Sequence, residues 1–156
     1  MKVIFLDIDG VLNSAQYDAE RGEQDGNIDV TRLELLREIT EKSGAKIVLT
    51  STWRKLWDKN KTLCTDEGLE LDRLFAVYGL EIFGKTPVIG RRSEEINAWL
   101  DGNENIESFV IVDDMPIGWD GLAERLVKTD AMIGRGPEKI HAEKAIYILT
   151  LPLKTE

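Results

Sequence analysis

Short apolar runs rich in β-branched residues alternate along this chain with stretches of helical periodicity. Val3 to Ile8 is one such run, and it ends in acid and glycine, as a strand buried on both faces would. Lys46 to Thr50 (KIVLT) and Phe109 to Val112 (FVIV) repeat the pattern. Between the first two, Asp29 to Ser43 sets Val30, Leu33, Leu36 and Ile39 at helical spacing. Thr31 and Glu34 have the spacing of a capping box there, and Gly44 is placed to end the helix. Ser93 to Leu100 predicts another helix, which opens with acids suited to its positive end and buries Ile96, Trp99 and Leu100. Leu126 to Thr129 reads as one more strand. Pro137 then falls in the first turn of a closing helix with Ile140, Ala145, Ile148 and Leu149 inside.

Strands and helices in alternation predict an α/β fold with a mostly parallel central sheet and helices on both faces. In such a fold ligands sit at the carboxyl ends of the strands. Two stretches interrupt the alternation, Asn13 to Asn27 and Trp53 to Arg73, and both follow strand ends where a site would lie. The 156 residues fit a single domain over 1–156, long enough to bury a core without staples.

Composition narrows the function. A hydrophobic fraction of 42% with 31% charged residues belongs to an ordinary globular protein. The net charge of −9 disfavours general nucleic-acid binding, which works by Lys and Arg neutralising phosphates, while leaving room for a local basic patch. Cys64, the single cysteine, permits neither an intramolecular disulfide nor a thiolate metal cluster, in keeping with a reducing, cytoplasmic setting. Asp7 and Asp9 break the N-terminal apolar run too early for a signal peptide or a membrane span.

The same two acids carry the candidate chemistry. Two apart at a strand end, Asp7 and Asp9 share a face, and Gly10 permits a sharp turn after them. Asp113 and Asp114 end the FVIV run in the same sense, so if the two strands are neighbours, four carboxylates converge. Like charges that close repel by about 1 kcal/mol per pair at 4 Å in water, and by several times more at lower dielectric. A divalent cation relieves this, and all-oxygen ligation without clustered His or Cys points to Mg²⁺. One aspartate can then attack a phosphoryl group while its neighbour protonates the leaving oxygen. The transferred oxygens also need a hydroxyl and a cation. Thr50 and Ser51 end the second strand, and Lys85, Arg91 and Arg92 precede the helix that feeds Asp113. An EF-hand does not fit, because Asp7 to Gly10 lacks the third acidic position and the distal Glu. Cys64 reads as packing, His141 as a surface or cap residue, and Gly134-Arg135-Gly136 as a turn before Pro137.

In this order the residues resemble the haloacid dehalogenase (HAD) superfamily. Its first motif is a strand ending in Asp-x-Asp-Gly, here FLDIDGVLN; its second a Ser or Thr after a strand, here IVLTS. Its third is a Lys or Arg before a helix, and its fourth an acidic pair after a strand, here VIVDD. The resemblance implies a three-layer Rossmann-like fold with a minimal cap, and a phosphatase, since members lacking the second Asp are the dehalogenase-like ones. It makes Asp7 the nucleophile that becomes an aspartyl-phosphate and Asp9 the acid, then base. Mg²⁺ would be held by Asp7, the Asp9 backbone carbonyl and Asp113, with Asp114 assisting. The segment STWR is similar to that of HAD domains associated with RNA-repair proteins, which favours Ser51 over Thr50 as phosphate ligand. Position before the helix favours Arg92 over Lys85. A minimally capped site implies a macromolecular end or phosphorylated partner as substrate. Trp53, Arg54 and Trp57 could stack on a base and steer a phosphate, or the two tryptophans could pack an amphipathic turn. The alternatives are an idle HAD-fold module that binds a phosphorylated partner or nucleic acid, and a phosphotransferase to an acceptor other than water.

Overall fold

A computed structural model describes residues 1–13, 28–129 and 139–153. Five strands form one parallel sheet: β1 (Lys2–Leu6), β2 (Lys46–Leu49), β3 (Ile82–Lys85), β4 (Ser108–Asp113) and β5 (Leu126–Lys128), in the order β3-β2-β1-β4-β5. Among the described residues four helices accompany them: α1 (Val30–Ser43), α2 (Asp66–Val77), α3 (Arg92–Asp101) and α4 (Lys139–Ile148). This is the expected α/β Rossmann-like layout, with β1 at the centre.

Alternation along the strands builds two cores. Ile4, Leu6, Ile47, Leu49, Val110 and Val112 pack against α1, α2 and α4 through Leu33, Leu36, Phe75 and Ala145. Val3, Phe5, Val48, Phe109 and Ile111 face α3, where Ile96 and Trp99 meet them. Phe5 sits edge-on to both Trp99 (5.4 Å between centroids) and Phe109 (5.6 Å). Full burial of such a side chain contributes roughly 1.5–3 kcal/mol. No helix among the described residues is long and apolar enough to cross a membrane.

The structure revises several details. Asp29, not Thr31, caps α1: its carboxylate accepts the Thr31 N–H (3.0 Å), so Thr31 lies inside the helix and the Thr31/Glu34 capping box does not form. Gly44 ends the helix as expected, with φ 72° and its N–H on the Thr40 carbonyl. Val30 and Ile140, expected inside, are exposed. The stretch after Trp53 contains α2, capped by Thr65 Oγ1 on the Gly68 N–H (3.2 Å). Strand β3 was not expected at all. Pro137 and Gly134-Arg135-Gly136 lie outside the described residues, as does nearly all of Asn13 to Asn27.

Candidate active site

The register brings the carboxyl ends of β1, β2 and β4 level. Leu6 pairs with Leu49 on one side and Val112 on the other, so the next residues, Asp7, Thr50 and Asp113, form a row across the sheet. The ladder continues through it, with the Asp7 N–H donating to the Val112 carbonyl and the Thr50 N–H to the Leu6 carbonyl (both 3.0 Å). Phe5, Val48 and Ile111 face α3, so the residues two further on lie on that side as well. Arg92 opens α3 there, and its Nη1 bridges Asp113 Oδ2 (2.7 Å) and Asp7 Oδ1 (3.2 Å).

Backbone donors fix both carboxylates further: Asp7 Oδ1 accepts the Ile8 N–H and Asp113 Oδ1 the Met115 N–H (both 2.9 Å). Asp7, Asp113 and Asp114 each place one oxygen within 4.8 Å of the others. Burial pushes Asp7 up to about 7, reinforced by Asp113 and Asp114 and opposed by Arg92 and the Ile8 N–H. Burial also raises Asp113, against the pull of Arg92 and the Met115 N–H. One guanidinium therefore does not offset the charge gathered here. Three carboxylate oxygens, with no His or Cys in the group among the described residues, are a hard donor set that fits Mg²⁺.

Thr50 and Ser51 take different parts. Thr50 Oγ1 is buried without a hydrogen-bond partner among the described residues, an arrangement that costs about 1–3 kcal/mol and points to an absent acceptor. Ser51 Oγ instead accepts the Trp53 N–H (3.2 Å) and caps the short 3-10 turn Thr52–Lys55. The two candidate cations also separate. Arg92 lies on the acids, whereas Lys85 Nζ donates to the carbonyls of Arg54 (3.1 Å) and Trp57 (2.7 Å) and pairs with Asp58 (3.3 Å).

Asp9 is not part of the carboxylate group, so three of the four expected acids converge. The pleat ends at Leu6, and the chain turns through Gly10 (φ 82°), with the Val11 and Leu12 N–H groups on the Ile8 carbonyl. Exposed Asp9 instead presents Oδ1 to Asn13 Nδ2 (2.9 Å) and Trp53 Nε1 (3.3 Å). Trp57 is buried and donates to Asp72. Arg54 is buried as well: its Nη1 donates to the Thr50 carbonyl and its Nη2 pairs with Glu95 Oε2 (2.7 Å). Its guanidinium thus joins β2 to α3 instead of facing solvent. Beside it a groove of about 610 Å³ runs past Lys55, Val88, Arg91, Arg92, Met115 and Ile117.

Glu95 and Asn13 are the residues that sequence reasoning missed. Glu95 Oε2 also accepts the Ile89 N–H (2.8 Å), so it ties Arg54 to the loop that leads into Arg92. Arg54 and Glu95 are 41 positions apart, and no local pattern announces such a pair. Asn13 was legible in principle, since its Oδ1 accepts the Gly10 N–H (3.0 Å), an ordinary use of Asn at a turn.

A family model described as the HAD domain in Swiss Army Knife RNA repair proteins matches residues 3–139. No curated protein and no solved structure matches the chain.

Proposed function

Since the chain belongs to the family of HAD domains in Swiss Army Knife RNA repair proteins, we propose that it is a magnesium-dependent phosphohydrolase cleaving a phosphomonoester at a nucleotide or nucleic-acid end. The observation that carries this reading is the convergence of Asp7, Asp113 and Asp114 beneath Arg92.

Asp7 attacks phosphorus, forming an aspartyl-phosphate as the bond to the leaving oxygen breaks, and Asp9 gives that oxygen its proton. Asp9 then takes a proton from the water that attacks the phosphorus, which frees phosphate and restores Asp7. Asp7, Asp113 and the Asp9 backbone carbonyl would hold Mg²⁺, with Asp114 directly or through water. The bound ion supplies positive charge to the phosphoryl oxygens. Arg92 supplies a second positive group, already oriented by Asp7 and Asp113. For the hydroxyl ligand, the unpartnered Thr50 Oγ1 now weighs in favour of Thr50, against the preference for Ser51 drawn from sequence. Exposed Lys55 and Arg91, with Val88, Met115 and Ile117, give the groove the mixed character that suits the sugar, base and next phosphate of a nucleic-acid end.

The test is a panel of phosphomonoesters, including nucleotides and end-phosphorylated oligonucleotides, assayed with Mg²⁺ and with EDTA. Hydrolysis is expected with Mg²⁺ alone, and Asp7→Asn should lower kcat at least about a thousandfold. Undiminished turnover by Asp7→Asn would remove the nucleophile and the proposal with it.

A further inference from the structure

Asp9 receives two hydrogen bonds at a single oxygen. Asn13 Nδ2 (2.9 Å) and Trp53 Nε1 (3.3 Å) both donate to Oδ1, and no donor to Oδ2 is recorded among the described residues. An indole N–H and an amide N–H can only donate. A carboxylic proton on Oδ1 would point at two groups unable to accept it, so the neutral acid must carry its proton on Oδ2.

Trp53 is itself held from two sides. Its backbone N–H is taken by Ser51 Oγ (3.2 Å), and the half-buried side chain packs against the core on the α1, α2 and α4 side of the sheet. The indole therefore links the turn after β2 to the turn after β1 across 44 positions. An exposed carboxylate has several rotamers open to it, and two fixed donors reduce them to one.

We propose that Trp53 is a positioning residue for the proton donor: its Nε1–H, with the Asn13 amide, holds Asp9 Oδ1 so that Oδ2 carries the proton to the leaving oxygen. In the step, the Asp7–phosphorus bond forms, the bond from phosphorus to the leaving oxygen breaks, and the Asp9 Oδ2 proton moves to that oxygen, giving an alcohol. This rests on the phosphatase reading above and goes beyond it, because Trp53 touches neither phosphate nor metal in the scheme.

The dependence on leaving group separates positioning from a merely structural role. 2,4-Dinitrophenyl phosphate departs without a proton, whereas an alkyl phosphate such as a ribose 5-phosphate needs one. Two replacements remove the N–H: Trp53→Phe, and site-specific benzothienylalanine at 53, which keeps the bicyclic shape should phenylalanine loosen the fold. Because Asp9 also acts as base in the water step that both esters share, the readout is the pre-steady-state rate of leaving-group release. Either replacement should lower that rate about tenfold for the alkyl phosphate, part of the 10²–10⁴ that a general acid contributes. The same release rate for the dinitrophenyl ester should stay within about twofold, and the dissociation constant of either ester should hold. In an Asp9→Asn background the replacement should add nothing, as expected of two residues acting in one step. Equal losses in the release rates of both esters would make Trp53 structural, and no loss in either would make its N–H irrelevant; both overturn the proposal. A parent protein that cleaves neither ester defeats the phosphatase reading itself, a result distinct from those two.

Discussion

Thr50 and Ser51 differ by one position and by what their hydroxyls meet. Thr50 Oγ1 is buried without a partner among the described residues, while Ser51 Oγ caps the following turn. Thr50→Val keeps the shape and removes the orphan, so the free protein should gain up to about 1 kcal/mol in urea unfolding. If the hydroxyl binds phosphate, KM should rise about tenfold in the same variant. Ser51→Ala should instead destabilise by about 0.5–2 kcal/mol, the ordinary loss of a cap. Sequence could not separate the two, because both end a strand and the choice depends on where the chain turns next. Asp9 shows the same limit, since its direction follows from the Gly10 turn and not from the strand pleat. Asp7 and Asp113 were legible, because strand alternation alone aims them.

Charge at those acids has a consequence for stability. Burial sets the folded Asp7 near 7, well above its ordinary 3.8. Between those pH values Asp7 holds its proton more firmly in the metal-free folded state than in the unfolded chain, so its contribution to stability falls as pH rises from about 4 to 7, opposite in sign to those of Glu38, Asp58 and Asp72. The slope is at most about 1.4 kcal/mol per pH unit for each proton. Mg²⁺ at neutral pH should raise Tm and flatten this dependence, because it stabilises the ionised carboxylates. A pH dependence of the metal-free Tm that Asp7→Asn leaves unchanged would contradict the burial argument.

At the scale of elements, α2 shows how a helix hides from pattern reading. Its buried positions are Gly68, Leu71 and Phe75, so the first place in the apolar stripe is a glycine and the periodicity looks broken. That glycine is needed for approach: a Cβ at 68 would run into the Leu56 carbonyl oxygen. Gly→Ala inside a helix ordinarily stabilises by up to about 1 kcal/mol. Gly68→Ala should instead destabilise by about 1–3 kcal/mol, since α2 must move off the Thr52–Lys55 turn region. Thermal unfolding reads the sign directly, and a stabilised variant would show that the helix has room. Strand β3 escaped for another reason: four residues with glycine third, IFGK, fall below the length at which alternation is visible. The strands that do carry the site are continuous apolar runs, and those the sequence displays openly.

For the molecule as a whole, the sheet order decides where substrate can lie. β1 at the centre, flanked by β2 and β4, sets the acids mid-edge, and α3 delivers Arg92 from one face. The groove opens on that face, with Lys55 and Arg91 exposed in a chain of net charge −9. So few cations in so acidic a chain favour binding of a short length of strand over a long tract. Two phosphate contacts on a single strand give a slope of about −1.4 in log affinity against log salt, from roughly −0.7 per contact. For an end-phosphorylated oligonucleotide, log(1/KM) should follow that slope, and Lys55→Ala or Arg91→Ala should each reduce it by about 0.7. Neither substitution should alter KM for a small aryl phosphate, which reaches the acids and Arg92 but not the groove. An oligonucleotide whose KM ignores both salt and these two substitutions would place the strand on another face, and the groove would then have no part in recognition.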